Sequence, residues 1–225
     1  MDILTEWIPN VVEYFDVFPD AIIDTLIMLF VTGLVSFIIA LPIAVLIVIT
    51  KPGGLAPNKP VFWVLDKIVN LFRAIPFVIL IPLMVGLTRV IFHTTIGIKM
   101  AFVPLIVGTI PFMARQMESS MEEIPHGIIE ASISMGMSTW QIITNVYLRQ
   151  NIPGMIRGIT ICLIAVIGQI AIVGTVGAGG LGDLAIRFGW QRKMWDITFV
   201  VLILLLIIIS IIQAIGDWLV RKTTH

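Results

Sequence analysis

The chain carries little charge. Asp, Glu, Lys and Arg make up 12% of its 225 residues and sum to a formal net charge of zero. Soluble domains average about 25% charged residues, so a water-exposed fold of this length is excluded. The balanced charge also leaves no electrostatic footprint for nucleic acid. Cysteine occurs once, as Cys162 among apolar neighbours. That excludes an intrachain disulfide, and a small buried core residue is a plainer reading than a metal or redox group. Lys and Arg are missing from Met1 to Asp24, which hold six acids; a secretory signal peptide has the opposite pattern. H-E-x-x-H and G-x-S-x-G are absent, and His93, His126 and His225 stand apart from the cysteine and from one another. No metal centre and no catalytic nucleophile are therefore expected.

Apolar residues are what the chain has in quantity: 58% of the total, with a mean hydropathy of +1.06. A helix needs about 20 apolar residues to cross a bilayer, and five stretches qualify: about 21–50, 61–87, 100–114, 152–176 and 195–220. They are continuous runs, not the ten-residue alternations of a membrane barrel. The expected fold is all-α, a polytopic membrane protein with five transmembrane helices. The third stretch is the shortest, contains Pro104 and Pro111, and turns polar after Ala114. With the N-terminus outside, nine of the 14 basic residues fall on the inner side and five (Arg89, Lys99, Arg187, Arg192, Lys193) on the outer side, as the positive-inside rule requires. Residues 1–20 then form an acidic extracytoplasmic segment, residues 21–222 a transmembrane domain, and the C-terminus is cytoplasmic.

Between the third and fourth stretches, residues 118–151 are polar and must project into water. Pro125 and Gly127 end whatever extends from the third span, and Ile128 to Met135 reads as a short helix. Gly136 breaks it, because glycine accepts the left-handed conformation of a sharp turn. Ser138 and Gln141 have the spacing of a capping box, starting a second helix from Thr139 to about Arg149. Asn151 is placed to cap the fourth span, with Pro153 in its first turn. Ala131 and Ser132 are small enough for close approach by a partner, with the Glu130 charge beside them. Spacing alone leaves an alternative open, an amphipathic hairpin capping its own bundle.

Elsewhere, Gly177, Gly179 and Gly182 match G-x-G-x-x-G, the dinucleotide fingerprint. That motif needs a strand before it, whereas here a membrane helix precedes it, so a flexible turn shaping the outer mouth is the better reading. Gln169, near the middle of the fourth span, is either a substrate-path group or an interhelical hydrogen-bonding one. Arg73 reads as structural near the inner surface. Gly154 and Gly158 form a close-packing pair, at a dimer seam or within the chain. Met100, Met113, Met117, Met135 and Met137 read as gap fillers. None of the 14 acids lies at the centre of a span, which disfavours an intramembrane enzyme. No convincing internal repeat is found, which disfavours an ion-coupled secondary transporter.

Glu130-Ala131-Ser132, three residues, Gly136, nine residues and Val146-Tyr147-Leu148 resemble the EAA loop of ABC importer permeases, written E-A-A, three residues, G, nine residues, I-x-L-P. Ser132 and Val146 are mild departures; Arg149, where the family has proline, is a larger one. Leu71-Phe-Arg-Ala-Ile-Pro-Phe77, Ile110-Pro-Phe-Met-Ala-Arg115, Val176-Gly-Ala-Gly-Gly-Leu-Gly182 and Gln213-Ala-Ile-Gly-Asp217 extend the likeness to the permease of methionine-importing ABC systems. The resemblance implies a non-catalytic transport subunit of the bacterial inner membrane, working as a homodimer with two copies of a cytoplasmic ABC ATPase and an extracytoplasmic substrate-binding lipoprotein. It implies no cofactor on this chain, with ATP and Mg held by the ATPase. It assigns ATPase coupling to Ile128, Ile129, Glu130, Ala131, Ser132 and Gly136; Gln169, by its depth in the fourth span, and Gly177, Gly179 and Gly180, by their place at its outer end, are the candidates for the translocation path. Another small amino acid or a related sulfur compound is the alternative cargo.

Overall fold

The computed structural model describes residues Trp7–Thr224. Asp2 and Glu6 of the acidic segment, and His225, lie outside the described residues. Among the described residues there is no strand. The helices are α1 (Pro9–Glu13), α2 (Val17–Thr50), α3 (Lys59–Ala74), α4 (Phe77–Phe92), α5 (Ile98–Glu122), α6 (His126–Ser134), α7 (Thr139–Ile142), α8 (Ile152–Gly174), α9 (Gly180–Leu184) and α10 (Trp195–Thr223). A wider π turn follows α7 over Ile143–Leu148, and another follows α9 over Ala185–Trp190. Four helices, α2, α5, α8 and α10, are each long and apolar enough to cross a membrane.

The second expected span is not one helix. Residues 61–87 belong to α3 and α4, which meet at an angle of 109°. Pro76 lacks an N–H and pushes the preceding residue out of the helical region; Ile75 accordingly has φ −74° and ψ 120°. The sequence of α3 gives a second reason. Asp66, Asn70 and Arg73 recur at helical spacing on one face, which does not belong in hydrocarbon. Asn58 caps this helix, accepting from the Val61 N–H at 3.2 Å. The chain thus has a fifth span only if the bent pair is counted as one. The third span also differs from expectation. It continues past Ala114 to Glu122, because Met113, Met117 and Met121 keep one face buried.

The chain divides into two compact units. The first comprises the described part of Met1–Gly33 with Pro76–Val107 and Leu163–Ile212. One of its cores is built around Met28, Leu105, Ile167 and Ile170, another around Phe18, Leu181 and Ile197. Asp196, in the first turn of α10, accepts from the Asn10 N–H at 2.9 Å and pins α1. The second unit comprises Leu34–Ile75, Gly108–Cys162 and Gln213–His225. Its core joins Ala40, Ala44 and Val48 of α2, Met113 to Met121 of α5, and Ile142, Val146 and Tyr147 of the polar stretch. Cys162 is buried in that core, as its apolar neighbours imply.

Candidate coupling site

The polar stretch folds within the second unit. Its first helix, α6, begins after Pro125 and ends at Ser134. The end is a complete Schellman motif: the Met137 N–H bonds to the Ser132 carbonyl at 3.1 Å, and the Gly136 N–H to the Ile133 carbonyl at 2.9 Å. Gly136 has φ +78°, the left-handed value this cap requires. Ser138 accepts from the Gln141 N–H at 3.3 Å while the Gln141 side chain accepts from the Ser138 N–H at 2.8 Å, completing the capping box. The second helix is α only for Thr139–Ile142 and then widens into the π turn. Widened turns of this kind are frequent at functional sites.

The two faces of α6 have opposite roles. Ser132 is 3% exposed and its hydroxyl donates to the Ile128 carbonyl; Ile129 is half-buried against the core. Ser132 is therefore turned toward the core, and of the two small residues only Ala131 is exposed. Ile128, Ala131 and Met135 share the outer face at intervals of three and four. Met135 is 73% exposed and Trp140 is 72% exposed. The gap-filler reading holds for the buried Met100, Met113 and Met117 but not for Met135. Trp140, Met135 and Ile133 are exposed apolar residues that sequence reasoning did not single out as such; the i, i+7 spacing of Ile128 and Met135 was the available signal. Glu130 is exposed, with His126 3.2 Å away.

Several contacts brace the stretch. Lys51, after α2, pairs with Glu122 at the end of α5 at 2.6 Å. The Asn151 side-chain amide donates to the Ser120 hydroxyl at 2.9 Å, and both residues are buried. Arg115 lies between Asp66 of α3 and Glu118, 2.6 Å from the latter. Exposed pairs contribute about 0–1 kcal/mol, but removing one partner of a buried pair costs about 3–5 kcal/mol. Arg115 therefore matters more than Lys51. A cavity of only ≈ 100 Å³ remains under α6, bordered by Lys51, Glu122, Ile129 and Tyr147. Burial first, and the Glu122 carboxylate second, push the Tyr147 phenol up, so it stays neutral at any physiological pH. The Gly154 and Gly158 pair serves packing inside the chain: a Cβ at Gly158 would lie 2.8 Å from Met117.

In the first unit, α8 ends in a second Schellman motif, with the Ala178 N–H on the Val173 carbonyl and Gly177 at φ +89°. Gly179 and Gly180 also have positive φ. A Cβ at Gly180 would stand 2.9 Å from both Met28 Cε and Thr25 Oγ1, and the Leu181 N–H donates to that hydroxyl at 2.9 Å. This turn is packed onto α2. A helix and not a strand precedes G-x-G-x-x-G, so these residues do not fit a dinucleotide. Gln169 is half-buried in α8.

Comparisons with known proteins agree with this architecture. Residues 48–225 match the family described as binding-protein-dependent transport system inner membrane component. A probable D-methionine transport system permease protein MetI of Vibrio cholerae is 41% identical over 202 residues, covering 90% of each chain. A methionine import system permease protein MetP of Bacillus subtilis is 45% identical over 172 residues, covering 76% of this chain and 78% of that one. Among solved structures, inward facing conformations of the MetNI methionine ABC transporter match with a TM-score of 0.89 and 41% identity, covering 94% of this chain and 98% of that one. The chain belongs to the family of binding-protein-dependent transport system inner membrane components.

Proposed function

We propose that this chain forms the translocation path of an ATP-driven methionine importer and couples it to a cytoplasmic ATPase through α6. As a membrane component of its family, it is a non-catalytic transport subunit, multi-pass in the inner membrane. The names of its relatives supply the cargo. It works as a homodimer with two ATPase subunits and an extracytoplasmic binding protein. ATP and Mg reside on the ATPase and supply the work of its closure.

The observation that carries the coupling role is the two-sided α6. Its outer face presents Ile128, Ala131 and Met135 without cover from this chain, while its inner face is locked to α5 through a shared core. A push on the outer face moves α5 with it, because the cavity beneath is too small to absorb the displacement and the Ser120–Asn151 bond ties both ends of the stretch. Coupling by rigid-body shift is a recognised form of transition. Gly136 sets the bend, and Glu130 supplies a charge for the ATPase cleft. Residues 21–222 form the transporting domain, with Gln169 on the translocation path and Gly177, Gly179 and Gly180 shaping its outer end. The nine basic residues assigned to the inner side all fall in the second unit and the five others all in the first. That segregation supports a cytoplasmic C-terminus and an N-terminus outside.

Single cysteines at Ile128, Ala131 and Met135, in a Cys162→Ser background, should crosslink to the ATPase subunit from the cytoplasmic side. Radiolabelled methionine uptake into proteoliposomes should stop on ATP depletion and survive collapse of ion gradients. Labelling of these cysteines from the exterior would refute the coupling role. Uptake that follows the ion gradient would make the chain a secondary transporter, and preferential competition by another amino acid or sulfur compound would change the cargo.

A further inference from the structure

We propose that the cleft between the start of α8 and the end of α10 binds the phosphodiester headgroup of an anionic phospholipid. The cleft has a volume of ≈ 850 Å³, within the range of small-ligand sites. Its walls come from two distant stretches: Asn145, Arg149 and Gln150 ahead of α8, and Lys222 and Thr224 at the end of α10. Both stretches lie in the second unit. The two helices are clamped nearby, since Gly216 admits Thr160 so closely that a Cβ at 216 would collide with the threonine hydroxyl.

Among the described residues, no acid lines the cleft. Among the described residues, neither Arg149 nor Lys222 pairs with a carboxylate. Two uncompensated cations thus converge with amide and hydroxyl donors on one open space. The complement is an anion with several acceptor oxygens, and arginine favours phosphate because its planar fork matches two oxygens at once.

Position identifies the source of that phosphate. The cleft lies where one membrane-spanning helix begins and another ends, which is the headgroup layer. Trp218 is exposed one turn before Lys222, whose ammonium sits 5.1 Å from its ring centroid; tryptophan anchors at this depth. Ile211, Ile215, Trp218 and Lys222 continue as one exposed stripe at helical spacing along α10. An acyl chain leaving the cleft would run down that stripe. A free phosphate ion would use neither the tryptophan nor the isoleucines.

The test uses the permease purified with its ATPase partner, and reads bound lipid by native mass spectrometry against phosphatidylglycerol, phosphatidylcholine and inorganic phosphate. Phosphatidylglycerol should be retained about tenfold or more over phosphatidylcholine, and Arg149→Gln with Lys222→Gln should lower its retention about thirtyfold, the combined worth of two cations near an anionic surface. Lys67→Gln, an exposed charge loss on α3, should leave retention unchanged. Equal retention of the two lipids, or wild-type retention by the double variant, would overturn the site. Displacement of the lipid by millimolar inorganic phosphate would make it a free-anion site and overturn the lipid assignment. Both substituted side chains are exposed, so the Tm of the double variant should match the wild type and reports on folding independently.

Discussion

Gly136 offers a graded test of the coupling loop. Its φ of +78° lies in the left-handed region, and a Cβ built there meets nothing within 4 Å. Substitution therefore perturbs the backbone alone, without a clash. Alanine in the left-handed conformation costs about 1–2 kcal/mol, enough to shift the bent and straightened forms of the loop by a factor of about 5–30. Asparagine tolerates this conformation and should cost less. Proline fixes φ near −65°, removes the N–H that bonds to the Ile133 carbonyl and disfavours the helical conformation at Met135; it should cost about 3 kcal/mol or more. ATP-driven methionine uptake by proteoliposomes holding the whole transporter should then fall in the order Gly, Asn, Ala, Pro. Gly136→Pro should be inactive while still present in the membrane. Wild-type uptake by Gly136→Pro, or an asparagine variant as impaired as proline, would refute the requirement for a left-handed residue at the bend.

Four further outcomes are expected. Ala131→Trp should keep the wild-type Tm, because the position is exposed, yet lose copurification with the ATPase. Arg115→Met should lower the Tm of the detergent-solubilised permease by the equivalent of about 3–5 kcal/mol, since Glu118, 8% exposed, is left without its cation. The double change Arg115→Met and Glu118→Met should recover part of that loss. Gly180→Ala should also destabilise, by about 1–3 kcal/mol, through contact with Met28 and Thr25, and size-exclusion thermostability would measure it.

Much of the coupling stretch was legible before any coordinates. Gly136, Ser138 and Gln141 act on neighbours a few residues away, so their spacing states what they do. The spans of α2, α8 and α10 were equally plain, because a long apolar run has no other stable environment than lipid; α5 was legible only as far as Ala114, where its sequence turns polar. The bend at Ile75–Pro76 was hidden by the apolar residues on both sides of it; the polar face of Asp66, Asn70 and Arg73 carried the signal, but it is diluted in a greasy segment. The inward turn of Ser132 could not be read from an E-A-S triplet, since one helical position decides which side of α6 meets the core. The Arg115 cluster joins residues 49 apart in sequence, and Asn151, at the expected cap position before α8, also donates to Ser120, a residue 31 positions away.

Local chemistry therefore determined the class of this protein, its long helices and the elbow of its polar stretch, because hydropathy, glycine conformation and capping are properties of contiguous residues. Tertiary structure decided which face of α6 is free, which charges brace α5, where the second apolar stretch breaks, and how Arg149 comes to share a cleft with Lys222. Those outcomes depend on packing between segments far apart in the chain, and nothing in the spacing of a single segment records its distant neighbours.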